Sequence, residues 1–133
     1  MKKLKQISIT IILIVMSSCV TNYSTIAYEN AKRGKQEFLK IADLATESYS
    51  IHKSKIDSIK IDLKKSYEFE QQREKNHATV WQWKILMAKN GTIYGFFNLW
   101  EKKDSLNTDP IKFIKKDAAA TFDEILKLEK AKQ

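Results

Sequence analysis

Apolar residues between Glu29 and Lys75 recur in alternating steps of four and three, the spacing that places a stripe along one face of a helix. Charged residues such as Lys40, Asp43 and Lys55 occupy the other face. The stripe consists of Phe38, Ala42, Ala45, Tyr49, His52, Ile56, Ile59 and Leu63. We therefore predict one long helix from about Glu29 to Lys75, which at 1.5 Å per residue would form a rod about 70 Å long.

A second stripe near the C-terminus predicts a partner for this rod. Thr108-Asp109-Pro110 offers a capping hydroxyl and a proline suited to the first turn of a helix. The stripe that follows comprises Ile111, Ile114, Ala118, Phe122, Ile125 and either Leu128 or Glu129. We expect this helix to pack antiparallel on the long helix, as in a coiled coil, with Ala45 and Ala118 allowing close approach.

The segment between the two rods predicts two short helices. Thr79 to Gln82 has the spacing of a capping box, and Asn90-Gly91 can end a helix in the left-handed conformation. A β-hairpin is the alternative, since Asn-Gly also forms tight turns between strands. Helical spacing after the turn decides against it, in Ile93, Phe96, Phe97 and Trp100. The sequence thus predicts an all-α fold, an elongated helical hairpin or bundle with residues 31–133 as one domain.

The N-terminus has the order of residues found in export signals. Lys2, Lys3 and Lys5 precede an apolar run, and Ser17, Ser18 and Cys19 follow it. The uncharged stretch 7–18 contains 12 residues, whereas a membrane-spanning helix needs about 20. We therefore expect a cleaved signal helix and no retained transmembrane anchor.

The end of this signal, Val15-Met16-Ser17-Ser18-Cys19, resembles the lipobox of bacterial lipoproteins, although Met16 stands where that family usually has Leu, Val or Ile. The resemblance implies removal of residues 1–18, palmitate-type acylation of Cys19 and attachment to membrane lipid. Residues 19–30 would then form a lipidated tether. By resemblance to enteric-type lipoproteins, Val20 in place of Asp implies the outer membrane, and we expect the protein to face the periplasm rather than the cell surface. The alternative is an ordinary secretory signal that leaves Cys19 as an unpaired thiol.

The amino-acid composition limits the classes of partner that we expect the mature protein to bind. Loss of Lys2, Lys3 and Lys5 takes the net charge from +8 to +5, so the domain stays basic. Only Arg33 and Arg73 among the 24 basic residues offer the planar fork suited to phosphate or base contacts. We therefore expect no nucleic-acid partner.

Residues that could carry chemistry are few. His52 and His77 are isolated, and His52 falls on the apolar stripe, where we expect a hydrogen-bonded core residue. Glu68, Glu70 and Glu74 lie in the most polar part of the long helix, which indicates a solvent-exposed face. The sequence has no phosphate-binding loop and no Gly-x-Ser-x-Gly motif. We therefore predict no catalytic residues, no metal site, no cofactor and no enzymatic activity.

The tryptophans are the remaining candidates for function. Trp81, Trp83 and Trp100 would be core residues or partner contacts, and Trp81 is the one we expect to remain exposed. The sequence predicts a membrane-anchored binding or adaptor module of the cell envelope, with an envelope protein as a possible partner. Two alternatives stay open: an electrostatic spacer whose lysines touch anionic wall or lipid groups, and an inhibitor of an envelope or secreted enzyme.

Overall fold

The computed structural model describes residues 21–133, and this part of the chain is all-α, as predicted. Its five helices are α1 (Thr25–Ala42), α2 (Tyr49–Gln72), α3 (His77–Met87), α4 (Thr92–Lys103) and α5 (Thr108–Lys130). Residues 21–133 contain no strand, so the segment around Asn90-Gly91 is helical and the hairpin alternative is wrong. The signal sequence, the lipobox and Cys19 lie outside the described residues.

The prediction of a single long helix is wrong, because the chain turns between α1 and α2. Hydrogen bonds between residues three apart follow the end of α1; for example, the amide of Ala45 donates to the carbonyl of Ala42 at 3.1 Å. Ser48, directly before α2, then has an extended backbone conformation. A Cβ on Gly34 would lie 2.9 Å from Leu63, which shows that α1 and α2 pack side by side as a hairpin. The predicted stripe is buried across the turn, except for the half-buried His52.

Contacts distant in sequence satisfy the backbone of this turn. The amide of Tyr49 donates to the carbonyl of Asp104 at 2.8 Å, and the amide of Leu106 donates to the carbonyl of Ala45 at 2.7 Å. The segment 43–48 contains neither glycine nor proline. The turn therefore carries no local sequence signal, and residues of α4, α5 and the connection between them stabilise it.

Helix α5 packs antiparallel on α1, as predicted. Lys35 of α1 forms an ion pair with Asp123 near the end of α5, while Lys115 near its start pairs with Asp43. The rings that fill the bundle include Phe38, Phe96, Phe97 and Phe122, all at most 2% exposed. Ala45 and Ala118 are both fully buried.

The ends of the short helices differ from the predictions. Helix α3 begins at His77, two residues before the expected capping box, and Thr79 lies buried inside it. Helix α3 ends at Met87, and Gly91 precedes α4 with a negative φ of −72°. A side chain on Gly91 would overlap the carbonyl oxygen of Ile85, so the residue is needed for close backbone approach and not for a left-handed turn.

The expected tether is also shorter than predicted. Helix α1 begins at Thr25, where the side chain of Ser24 accepts a hydrogen bond from the amide of Ala27 at 3.1 Å. Ala27 and Ala31 are buried in the bundle. The folded domain therefore includes residues 21–30, which the sequence assigns to the lipidated tether.

Candidate functional site

Helix α3 carries an apolar stripe on its exposed face. Trp81 is 60% exposed and Ile85 is 40% exposed, one helical turn apart. Ala78 and Ala88 extend the same face at helical spacing, and both are exposed. We call these four residues the α3 stripe. Lys84 lies beside it, with its ammonium group 5.5 Å from the centre of the Trp81 ring.

The opposite face of α3 explains why the stripe points outward. Thr79, Trp83 and Leu86 are buried against the rest of the bundle. The ring of Trp83 packs edge-on against Phe122, with centroids 5.8 Å apart. Burying this face leaves residues 78, 81, 85 and 88 on the solvent side of the helix.

The three tryptophans thus have different environments. Trp81 is exposed, as expected, whereas Trp83 and Trp100 are fully buried. Trp100 donates from Nε1 to the carbonyl of Glu47 at 2.9 Å and packs edge-on against Tyr49. The assignment of Trp83 and Trp100 as binding residues is wrong, because neither can contact a partner without opening the core.

A buried polar cluster lies where α2, α3 and α5 meet. Glu70 and Glu129 are each 1% exposed, so two carboxylates lie inside the protein. Arg73 bridges them, with Nη1 at 3.0 Å from Oε2 of Glu70 and Nη2 at 2.9 Å from Oε1 of Glu129. Lys132 donates to Glu129 at 2.8 Å and to Thr79 at 3.1 Å. The members are Glu70, Arg73, Asn76, Thr79, Glu129 and Lys132, which we call the polar cluster.

Charge balance makes this arrangement stable inside the protein. Burial disfavours the charged form of Glu129, but hydrogen bonds from Arg73, Lys132 and the amide of Ser24 outweigh it and hold its pKa below the ordinary value. Burial would also lower the pKa of Arg73, whereas Glu129 and Glu70 raise it. The opposite charges around them therefore favour a protonated Arg73 and an ionised Glu129 inside the protein.

The polar cluster also binds the first described residues. The amide of Ser24 donates to Oε1 of Glu129 at 2.7 Å, and Arg73 donates to the carbonyl of Asn22. The amide of Thr21 donates to the carbonyl of Lys75 at 3.3 Å. Residues 21–24 are therefore fixed on the end of the bundle formed by 73–78 and 128–133, which we call the tether pole.

A cavity of about 350 Å³ opens at the tether pole. Its apolar wall consists of Ala78, Leu128 and Ala131, and Lys75 and His77 lie beside them. Ala78 belongs to both the cavity and the α3 stripe. The stripe therefore begins at the tether pole and runs away from it along α3.

The described residues contain neither a cluster of metal-ligating side chains nor a membrane-spanning helix. Residues 21–133 hold no group of three metal-ligating side chains. His52 instead lies 2.6 Å from a carboxylate oxygen of Glu47 and packs near Trp100, as a hydrogen-bonded residue at the edge of the core. Within the same range no helix combines the length and apolar character needed to cross a bilayer.

The comparisons with known proteins add no relative. No protein-family model, no curated protein and no solved structure matches the chain. The functional argument therefore depends on its own residues.

The polar cluster is the feature that the sequence did not predict. Glu70 was assigned to a solvent-exposed face, and this is wrong because the side chain lies inside the bundle. Glu129 falls at helical spacing after Phe122 and Ile125 on the buried face of α5. Its position on the buried face was the signal in the sequence that could have indicated the polar cluster, since a carboxylate on a core stripe needs a buried cation.

Proposed function

We propose that this chain is a lipid-anchored, non-enzymatic binding module of the bacterial cell envelope. Its resemblance to lipoproteins at residues 15–19 supports acylation of Cys19 and attachment to the membrane. The observation that carries the binding role is the α3 stripe, where Trp81 and Ile85 remain exposed on one face. The proposed partner is an envelope protein that covers this face.

The composition of the stripe favours a protein partner. Single exposed apolar residues are common on soluble proteins, but two large ones on adjacent turns flanked by small alanines form a continuous surface. Indole is frequent at interface hot spots, because it buries a large area and loses little conformational freedom. Lys84, stacked over Trp81, would form part of the polar rim.

The spacer alternative is less well supported, because two of the lysines in and just after α5 already have partners within the domain. Lys115 pairs with Asp43, and Lys132 is bonded inside the polar cluster. Lys112, Lys116, Lys127 and Lys130 remain exposed, but these four offer less positive charge for binding wall or lipid anions than all six lysines from Lys112 to Lys132 would.

Inhibition of an envelope or secreted enzyme is a special case of the same proposal. The α3 stripe would then cover an active site, with Trp81 as the inserted residue. The identity of the partner decides between adaptor and inhibitor, so a single experiment serves both.

Photo-crosslinking in cells tests the proposal. A photoreactive residue replaces Trp81 in the lipidated protein, and adducts are identified by mass spectrometry. The matched control carries it at Ile61, which is 54% exposed on α2, and a Cys19→Ser variant removes the anchor. We expect one recurrent protein adduct at position 81, absent from both controls. Adducts confined to the chain itself, or equal at positions 81 and 61, would contradict the proposal.

Trp81→Ala separates binding from folding. Truncating an exposed side chain should change the free energy of unfolding by no more than about 0.5 kcal/mol. Loss of a hot-spot indole should weaken the complex by about 2 kcal/mol or more, roughly 30-fold in Kd. Urea unfolding and pull-down of the crosslinked partner measure the two effects. The wild-type complex should persist near 1 M salt, where screening acts over about 3 Å.

A further inference from the structure

Very little chain separates the tether pole of the folded domain from the proposed lipid anchor at Cys19. Thr21 is fixed by its bond to the carbonyl of Lys75, and only Val20 separates it from Cys19. Two residue steps span at most about 7 Å. The Cα of Thr21 therefore lies within about 7 Å of the Cα of Cys19 in any conformation of Val20.

This distance is comparable to the thickness of the polar layer of a membrane. A bilayer is about 40–45 Å thick and its hydrocarbon core about 30 Å, which leaves roughly 5–8 Å of headgroups on each side. The acyl chains of a lipidated Cys19 would be buried in the core. Thr21 therefore lies at most about 7 Å farther from the hydrocarbon core than Cys19, which keeps it in the headgroup layer or at the outer edge of that layer.

We propose that the clamped N-terminal segment holds the tether pole in the lipid headgroup layer, with phospholipid headgroups as its occupant. This inference rests on the proposed acylation of Cys19. The carbonyl of Asn22 accepts a hydrogen bond from Arg73 and the amide of Ser24 donates one to Glu129, so residues 21–24 cannot extend to lengthen the connection. The orientation of the domain on the membrane is then set by the fold.

The surface of the tether pole suits this position. The cavity there has an apolar wall of Ala78, Leu128 and Ala131 with His77 at its edge. Ile26, in the first turn of α1, is 62% exposed, and Lys130 lies exposed near the end of α5. Apolar groups beside lysines match the boundary between acyl chains and anionic headgroups.

The orientation also limits where a protein partner can bind. Ala78 lines the cavity, and Trp81 follows it by one helical turn, about 4.5 Å along α3. The α3 stripe therefore starts at the lipid surface and rises from it. A partner that covers the stripe would be bound at the membrane surface, beside the domain.

Fluorescent labels at the two ends of the bundle test the orientation. Acylation consumes the thiol of Cys19, the single cysteine of the chain, so an introduced cysteine can be labelled alone. His77→Cys marks the tether pole, and Lys112→Cys marks the start of α5, roughly 25 Å away along that helix from the polar cluster. The lipidated proteins are reconstituted in vesicles of phosphatidylethanolamine and phosphatidylglycerol that carry a nitroxide on some headgroups.

We expect the label at position 77 to lose most of its emission and the label at position 112 to keep it. Equal quenching at both positions, or stronger quenching at 112, would overturn the inference. Inserting about six Gly and Ser residues between Val20 and Thr21 adds up to roughly 20 Å of reach and should restore the emission at position 77. Undiminished quenching after the insertion would also overturn it, since the short segment would not be what holds the pole.

Mass spectrometry of each protein keeps this test separate from the proposed function. An unmodified Cys19 would contradict the lipid anchor, and with it both proposals. An acylated Cys19 with an unquenched label at position 77 would contradict only the orientation. The crosslinking result at Trp81 would then still decide the binding role.

Discussion

Different kinds of side chain fill the interior at the two ends of the bundle. At the tether pole, the charged groups of Glu70, Arg73, Glu129 and Lys132 meet out of water at 2.8 to 3.0 Å. At the other end, which we call the aromatic end, the closing groups are rings whose centroids lie 5.6 to 6.1 Å apart. The rings are those of Phe38, Tyr49, Phe96, Phe97 and Trp100.

This difference indicates that the stability of the fold and the positioning of residues 21–24 depend on different ends of the bundle. Ring packing buries large apolar areas, so the aromatic end supplies stability. Buried ion pairs gain little over apolar groups of similar volume, yet removing one partner is costly. The polar cluster therefore contributes mainly geometry: it fixes residues 21–24 on the bundle, where the chain leaves toward Cys19.

The largest effect is expected from Glu129→Ala. The substitution leaves Arg73 and Lys132 buried without their shared carboxylate and frees the amide of Ser24. The free energy of unfolding should fall by about 3–5 kcal/mol, as for other buried pairs that lose one partner. Urea denaturation followed by circular dichroism measures the change.

Glu124→Ala on the same helix is the matched control. Its carboxylate is 43% exposed and lies 4.0 Å from Lys127, so its loss should cost no more than about 0.5 kcal/mol. Equal costs for Glu124→Ala and Glu129→Ala would break the comparison, because the polar cluster would then behave like surface charge.

At the aromatic end, Trp100→Phe is expected to cause a smaller loss of stability. The variant keeps a ring but removes the donor to the carbonyl of Glu47 and part of the buried volume. The free energy of unfolding should fall by about 1–3 kcal/mol. Trp81→Phe, on the exposed stripe, should change it by at most about 0.5 kcal/mol. A similar loss in both variants would mean that Trp81 also belongs to the core.

The sequence predicted the features that depend on local spacing. The stripe from Phe38 to Leu63 is buried apart from the edge position His52, α5 packs antiparallel on α1, and the segment around Asn90-Gly91 is helical. These features follow from periodicity along the chain, because burying one face of each helix requires it. The exposure of Trp81 followed from the same argument, since one face of α3 must point away from the bundle.

The features that the sequence missed depend on contacts between distant residues. The turn at 43–48 keeps the helical spacing of apolar residues, and its backbone is satisfied by Asp104 and Leu106 from another part of the chain. The polar cluster joins Asn22, Arg73 and Glu129, which are more than fifty residues apart. The position of Glu129 on the buried stripe indicates that it needs a cation, but no local pattern identifies the distant residue that supplies one. The sequence therefore overestimates the length of the tether and of the long helix.

Acid should weaken the tether pole more than the aromatic end. Since hydrogen bonds hold the pKa of folded Glu129 below its ordinary value, the unfolded chain takes up that proton first as the pH falls. The stabilisation from Glu129 is therefore complete above the unfolded pKa, near 4.3, and is lost as the pH falls toward the folded pKa. Glu129→Gln removes this titration, so its stability deficit against wild type should shrink between about pH 5 and pH 3. The deficit of Trp100→Phe should stay constant over that range, as measured by urea unfolding at each pH. A Glu129→Gln deficit that does not change with pH would show that the carboxylate carries no linked proton, and the two ends would then respond to acid alike.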